Sequence, residues 1–155
     1  LISLSRPKKG RLISWKLCDY YVRLYGAKSY LKSFSHITEL KDLRHHRFVS
    51  YVDELIEFPE LNYFDEINDN FSVIFRSNSL RSQYLAIKNG LGLGLIHTFI
   101  ASREDSLEVI LPNYINIKRE YWVNIHENSH QFKRIKVVTN FLSEIMKKEK
   151  ISFSL

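Results

Sequence analysis

The chain has 155 residues, 45% hydrophobic and 26% charged, a composition that excludes a disordered or low-complexity protein and fits one compact domain or two small lobes. Its single cysteine, Cys18, excludes an internal disulfide; residues 1–10 lack the apolar core of a secretory signal and no stretch reaches the run of about 18 apolar residues a spanning helix needs, so a cytoplasmic address without a membrane partner is expected. The formal net charge of +6 raises nucleic acid as a partner, but the bases collect near the ends (Arg6, Lys8, Lys9, Arg11, Lys147, Lys148, Lys150) while acids fill the middle, which reads as solvated faces and tails.

In chain order, Gly10 marks a turn, and residues 12–17 and 20–27, rich in Ile, Val, Tyr and Leu, read as two strands. Residues 28–34 and 38–43 read as short helices, the second opened by Thr38 as a cap, and residues 47–52 as a strand. Residues 53–69 alternate acids with large apolar side chains around Pro59 and are expected to be loop with short elements, covering one edge of the fold. Phe71, Val73 and Phe75 alternate with Ser72 and Ile74 as a half-buried strand does, and Ser77, Asn78 and Ser79 then offer three helix-capping residues before a helix over 80–88. Asn89-Gly90 suits the left-handed end of that helix. Strands over 91–96, 107–111 and through Tyr121, Val123 and Ile125 follow, with one or two helical turns over 98–103, and Phe132, Ile135, Val138, Phe141, Leu142 and Ile145 recur at helical spacing within 129–150. This alternation predicts an α/β fold with a largely parallel sheet.

Several candidate chemistries fail on spacing. Gly90, Gly92 and Gly94 sit in the order helix, glycines, strand, the reverse of a dinucleotide-binding loop, so they read as a close approach of helix and strand backbones. His36, His45 and His46 lack a metal-ligand pattern, as do His126 and His130, and Cys18 has no base beside it in sequence. No nucleophile elbow is present. The chain thus carries no sign of an enzyme, a metal or a cofactor. Ser77, Asn78 and Ser79 stay open to two readings: a helix cap, or a polar ligand contact at the end of an open α/β sheet, where free N–H groups suit an anion.

Three stretches together resemble the sensor domain of LysR-type transcriptional regulators: Arg23-Leu24-Tyr25-Gly26-Ala27-Lys28-Ser29-Tyr30-Leu31, then Asp42-Leu43-Arg44-His45-His46-Arg47-Phe48, and Phe75-Arg76-Ser77-Asn78-Ser79 running on through Ala86 to Leu95. Val109-Ile110-Leu111-Pro112, Glu120-Tyr121-Trp122-Val123 and Lys133-Arg134-Ile135-Lys136-Val137-Val138 extend the likeness nearly to the C-terminus. The resemblance implies a fold like type 2 periplasmic binding proteins: two α/β lobes joined by crossing strands, with a small-molecule effector in the cleft between them. On this mapping residues 1–27 belong to the first lobe and its outgoing crossover, 28–118 to the second lobe, and 119–155 return to finish the first, which is expected to be incomplete. It also implies DNA binding only through a helix-turn-helix domain that would lie before Leu1, and a homodimer or homotetramer at full length. Where the family often has Pro after its glycine-rich strand, this chain has His97.

Two other readings share that architecture, a solute-binding protein serving transport and an enzyme without a visible catalytic constellation. The effector-sensing reading places Ser77, Asn78 and Ser79, followed by His97, Thr98 and Phe99 from the neighbouring strand, in the cleft, with Ser3 and Ser5 facing them from the first lobe.

Overall fold

A computed structural model describes residues 1–34, 36–67 and 71–148. Its organising element is one long strand, β2 (Leu12–Ala27), which pairs antiparallel with β7 (Asn116–His126) along most of its length. The sequence suggests two strands here because Leu17-Cys18-Asp19 breaks the apolar alternation. The chain absorbs that break as a shift of register between Lys16 and Cys18, an extra residue on one strand that bends it without ending the ladder. Beyond the shift the strand is core: Tyr20, Val22, Leu24 and Ala27 are buried.

The far end of β2 carries the rest of the sheet. β5 (Leu93–His97) and β6 (Leu107–Ile110) both pair antiparallel with it, from opposite sides. β3 (Arg47–Ser50) lies parallel to β5 and to β4 (Ser72–Arg76), while β1 (Ile2–Ser3) adds to β7 at the other end. The sheet is therefore mixed. Among the described residues parallel pairing is confined to β3, β4 and β5, less than the alternation of elements suggests, because the long β2 pairs antiparallel with β5, β6 and β7.

Among the described residues four α-helices complete the fold: α1 (Lys28–Leu31), α2 (Leu80–Lys88), α3 (Thr98–Ala101) and α4 (Lys133–Lys148). α2 begins and ends where its local signals say, with Ser79 as cap and Gly90 at φ +77° beyond its end. The glycines that follow suggest a close approach of helix and strand backbones; the backbone they approach is that of β3, with a Cβ on Gly92 standing 2.5 Å from the Arg47 carbonyl oxygen, while α2 meets Gly94 through the Ile87 side chain. The segment read as a helix from Thr38 is a 3-10 turn over Leu40–His45; Glu39 and Asp42 form its capping box, and Thr38 donates to the Asp42 carboxylate. Below it Leu43 and His46 are buried, His46 Nδ1 lies 3.4 Å from the Tyr30 hydroxyl, and the Arg47 amide donates to that hydroxyl. That is the structural content of the Asp42-Leu43-Arg44-His45-His46-Arg47 stretch.

Cys18 is half-buried against Met146, and burial raises its thiol to about 11, so it stays protonated, as a packed small side chain should. α4 packs across β2 while leaving Phe132, Val137, Val138 and Phe141 exposed. The last residues read as part of that helix, 149–150, lie outside the described residues.

Candidate functional site at the ends of the parallel strands

The C-terminal ends of β3, β4 and β5 lie at one edge of the sheet, because the three strands run parallel. From β4 the chain enters Ser77-Asn78-Ser79. Here the three side chains all have structural work. The Ser77 amide donates to the Ser50 carbonyl at the end of β3, and the Ser77 carbonyl accepts from Gln83 Nε2 at 2.6 Å. The Ser77 hydroxyl accepts from the Ser79 amide, and the Ser79 hydroxyl caps α2 by accepting from the Ser82 amide. The Asn78 side chain accepts from the Val52 amide and donates to the Leu55 carbonyl, stitching down the segment after β3.

From β5 the chain enters His97-Thr98-Phe99, and the situation reverses. His97 is 5% exposed and Thr98 fully buried, yet His97 Nδ1 and Thr98 Oγ1 have no hydrogen-bond partner. His97 stacks on Tyr20 of β2 with ring centroids 5.0 Å apart, meets Tyr63 edge-on at 6.3 Å and lies 5.2 Å from Phe99. Tyr20 stacks in turn on Tyr121 of β7, and Tyr51 packs against Tyr63. The buried hydroxyls of Tyr20 and Tyr63 face each other, close enough for each to shift the other's ionisation, without reaching ordinary hydrogen-bond geometry. Four buried polar groups thus sit in or beside one aromatic cluster, and two of them, His97 Nδ1 and Thr98 Oγ1, have no partner at all, where a domain ordinarily leaves few such groups and each costs about 1 to 3 kcal/mol.

All four are neutral at physiological pH. Burial lowers His97 to about 4, so its ring carries no charge, and burial pushes the Tyr20, Tyr51, Tyr63 and Tyr121 phenols up. The guanidinium against the cluster is that of Arg119 at the start of β7. It lies 5.5 Å from the Tyr63 ring centroid, donates to the Glu60 carbonyl and pairs with the Glu66 carboxylate.

The two serines expected from the first lobe divide. Ser3 lies on β1, where its hydroxyl donates to the Ser5 carbonyl and accepts from Asn124 Nδ2, fastening β1 to β7. Ser5 comes up to the segment after β3, where its side chain, with the backbone of Glu60 and the charges of Arg119 and Lys8, holds the Glu60 carboxyl below the usual carboxylate range. Sequence reading missed Tyr20, Tyr51, Tyr63, Tyr121 and Arg119. The available signal is nine tyrosines in 155 residues, several on strand positions where the core has no use for a polar tip. Among the described residues no group of histidines, cysteines and acids is placed to hold a metal ion, and no helix is long and apolar enough to cross a membrane.

Comparison with known proteins supplies the context for this geometry. The family model described as the LysR substrate binding domain matches residues 1–147. No curated protein matches the chain. Among solved structures, the regulatory domain of CrgA, a LysR-type transcriptional regulator from Neisseria meningitidis, is similar at 17% identity and a TM-score of 0.77, over 92% of this chain and 72% of that one. The regulatory domain of CcmR from Synechocystis PCC6803, solved in complex with 2-PG, is similar at 16% identity and a TM-score of 0.69, over 94% of this chain and 72% of that one. Full-length AphB, the Vibrio cholerae virulence activator, is similar at 17% identity and a TM-score of 0.72, over 91% of this chain but 50% of that one, so the chain spans about half the length of such a regulator. At these identities the likeness to the solved structures speaks to the fold.

Proposed function

Since this chain belongs to the LysR substrate-binding domain family, we propose that it senses a small-molecule effector between two lobes and passes that signal to transcription. On this reading residues 1–27 and 119–155 build one lobe with the crossovers, residues 28–118 build the other, and the effector lies where β2 and β7 meet the ends of β3, β4 and β5. His97, Thr98 and Phe99 form its floor, Ser77, Asn78 and Ser79 its rim on the second lobe, and Ser5 faces them, with Ser3 fixing the strand behind. The observation that carries the proposal is the pair of buried polar atoms without a partner, His97 Nδ1 and Thr98 Oγ1, beside the facing hydroxyls of Tyr20 and Tyr63, since such groups lower stability and persist where something else selects them.

The mechanism follows from linkage. A ligand that bridges the two lobes shifts their relative populations only by its differential affinity for the two arrangements. DNA contact belongs to an N-terminal domain of the complete regulator, which works as a homodimer or homotetramer. A transport role has less support, because the family match is to a regulator's domain.

The test uses the complete regulator and a panel of metabolites. A compound that raises its melting temperature should change its operator affinity, and Thr98→Val should weaken that compound's binding by roughly tenfold. A regulator whose operator affinity ignores every compound bound in the cleft would refute effector sensing.

A further inference from the structure

The segment between β3 and β4 crosses the cluster as a strap. Residues 53–67 form three separate 3-10 turns, Asp53–Leu55, Pro59–Leu61 and Phe64–Glu66, whose backbone bonds are local, such as Leu61 amide to Phe58 carbonyl and Ile67 amide to Phe64 carbonyl. Side chains tie the strap to the body of the domain: Asn78 holds Val52 and Leu55, Arg76 pairs with Asp53, and Arg119 holds the Glu60 carbonyl and the Glu66 carboxylate. Leu55 and Phe58 point outward and are largely exposed, whereas Tyr63 is 2% exposed. Local opening of such a segment breaks few backbone bonds to the rest of the fold.

Tyr63 fills its place without satisfying it. Its ring lies edge-on to His97 and Tyr51 and under the Arg119 guanidinium, so its shape suits the slot. Its hydroxyl faces that of Tyr20 without reaching ordinary hydrogen-bond geometry, and it leaves His97 Nδ1 and Thr98 Oγ1 without partners. The Arg119 guanidinium is already paired with Glu66, and a second carboxylate, that of Glu60, lies nearby and stays ionised. An incoming anion would meet these two carboxylates instead of a free cation.

We propose that Tyr63 is a built-in occupant of the effector slot, displaced by a ligand with an uncharged planar ring bearing a hydroxyl or carbonyl group that pairs with Tyr20, His97 and Thr98. The inference rests on the cleft reading above and adds to it the ligand's chemical class and a strap that competes with the ligand. Competition makes the apparent affinity the intrinsic one multiplied by the fraction of molecules whose strap is open.

The probe is p-cresol, the side chain of tyrosine as a free molecule and uncharged at pH 7, since a phenol ionises near about pH 10. Calorimetric titration should show Tyr63→Ala binding p-cresol at least tenfold more tightly than the wild type. In the wild type, saturating p-cresol should speed amide exchange over residues 60–67. Adding Thr98→Val to Tyr63→Ala should cost several-fold in affinity, which a merely greasy cavity would not show, and benzoate should bind at least tenfold more weakly than p-cresol. Arg119→Gln, which keeps the Tyr63 ring and loosens the strap, should also tighten p-cresol binding and guards against a Tyr63→Ala chain that fails to melt cooperatively. Equal p-cresol affinity in the wild type and Arg119→Gln, or benzoate bound more tightly than p-cresol, overturns the proposal. A metabolite that binds the cleft with the strap's exchange unchanged would sink the strap and spare the cleft; p-cresol in the slot of a regulator deaf to every ligand would do the reverse.

Discussion

Two junctions at the same edge of the sheet, made from the same kind of strand-to-helix turn, treat their polar groups in opposite ways. At Ser77-Asn78-Ser79 each serine hydroxyl, the Asn78 amide and the nearby carbonyls find partners in α2 or in the segment after β3. At His97-Thr98 the imidazole nitrogen and the hydroxyl are buried with none. A satisfied network specifies a structure, whereas unsatisfied groups lower stability and persist where something other than stability selects them. On the proposed function the first junction is chiefly scaffold and the second the sensor, although the sequence signal is far stronger at the first.

The scaffold side breaks most severely where β5 leaves α2. Gly92→Ala would drive its Cβ to 2.5 Å from the Arg47 carbonyl oxygen, and backbone cannot yield there without shifting β3 against β5. We expect a loss of about 3 kcal/mol in urea unfolding. A loss under roughly 1 kcal/mol would show that this junction is softer than its packing implies.

On the sensor side the largest effect is acid sensitivity. His97 is held neutral in the folded chain at about 4, below its ordinary value of about 6.5, so the unfolded state binds the extra proton first as pH falls. Stability from this group is complete above about pH 6.5, declines from there to about pH 4, and changes no further below. Between pH 7 and 5 that amounts to about 2 kcal/mol, order of magnitude, and His46, also lowered by burial, adds in the same direction. Urea unfolding of the wild type and His97→Gln at both pH values isolates the effect, since shared carboxylates cancel in the difference. Equal pH dependence in the two chains would mean that His97 is more hydrated than its burial indicates.

The contrast also explains how much of the molecule was legible in its residues. α2 was readable because every signal is local: a capping serine, a 3.6-residue period and Asn89-Gly90 to end it. The long β2 was readable as β structure but not as one strand, because pairing with β7 decides whether Leu17-Cys18-Asp19 is a break or a bulge. The glycines at 92 and 94 announced close packing through their spacing alone. The sensor cluster depends instead on residues far apart in the chain. Arg119 reaches the Glu60 carbonyl across 59 positions, and Tyr63 meets Tyr51, His97 and Arg119 only after the strap has folded. No local period records such contacts. His97, Thr98 and Phe99 entered the expected site from the order of strands, and the burial of His97 Nδ1 and Thr98 Oγ1 without hydrogen-bond partners became visible only in the fold.

Thr98→Val tests the sensor side with a change of sign. It replaces a fully buried, unpartnered hydroxyl with a methyl of the same shape, so the chain should gain roughly 1 kcal/mol of stability while losing ligand affinity. Stability and function pulling apart in this way is the mark of a group kept for binding. A destabilised Thr98→Val chain would mean that the hydroxyl has an internal partner after all, and would remove Thr98 from the slot.

The smallest effects separate the two serines of the capping turn. Ser79 is the cap: its hydroxyl accepts from the Ser82 amide, so Ser79→Ala should lower stability by about 1 kcal/mol, read as a shift in the urea midpoint at constant slope. Ser77 accepts only from the Ser79 amide, and both residues are open enough for water to take over that bond, so Ser77→Ala should cost less than about 0.5 kcal/mol. If Ser77 also forms the rim of the cleft, the same substitution in the complete regulator weakens effector binding by roughly tenfold while the melting temperature barely moves. Ser79→Ala, whose hydroxyl is committed to the cap, should instead lower the melting temperature and weaken binding less than Ser77→Ala does. The pair therefore reads cap and rim independently within one turn of chain, and a Ser77→Ala regulator that binds its effector as the wild type does would confine the site to His97, Thr98 and the tyrosines around them.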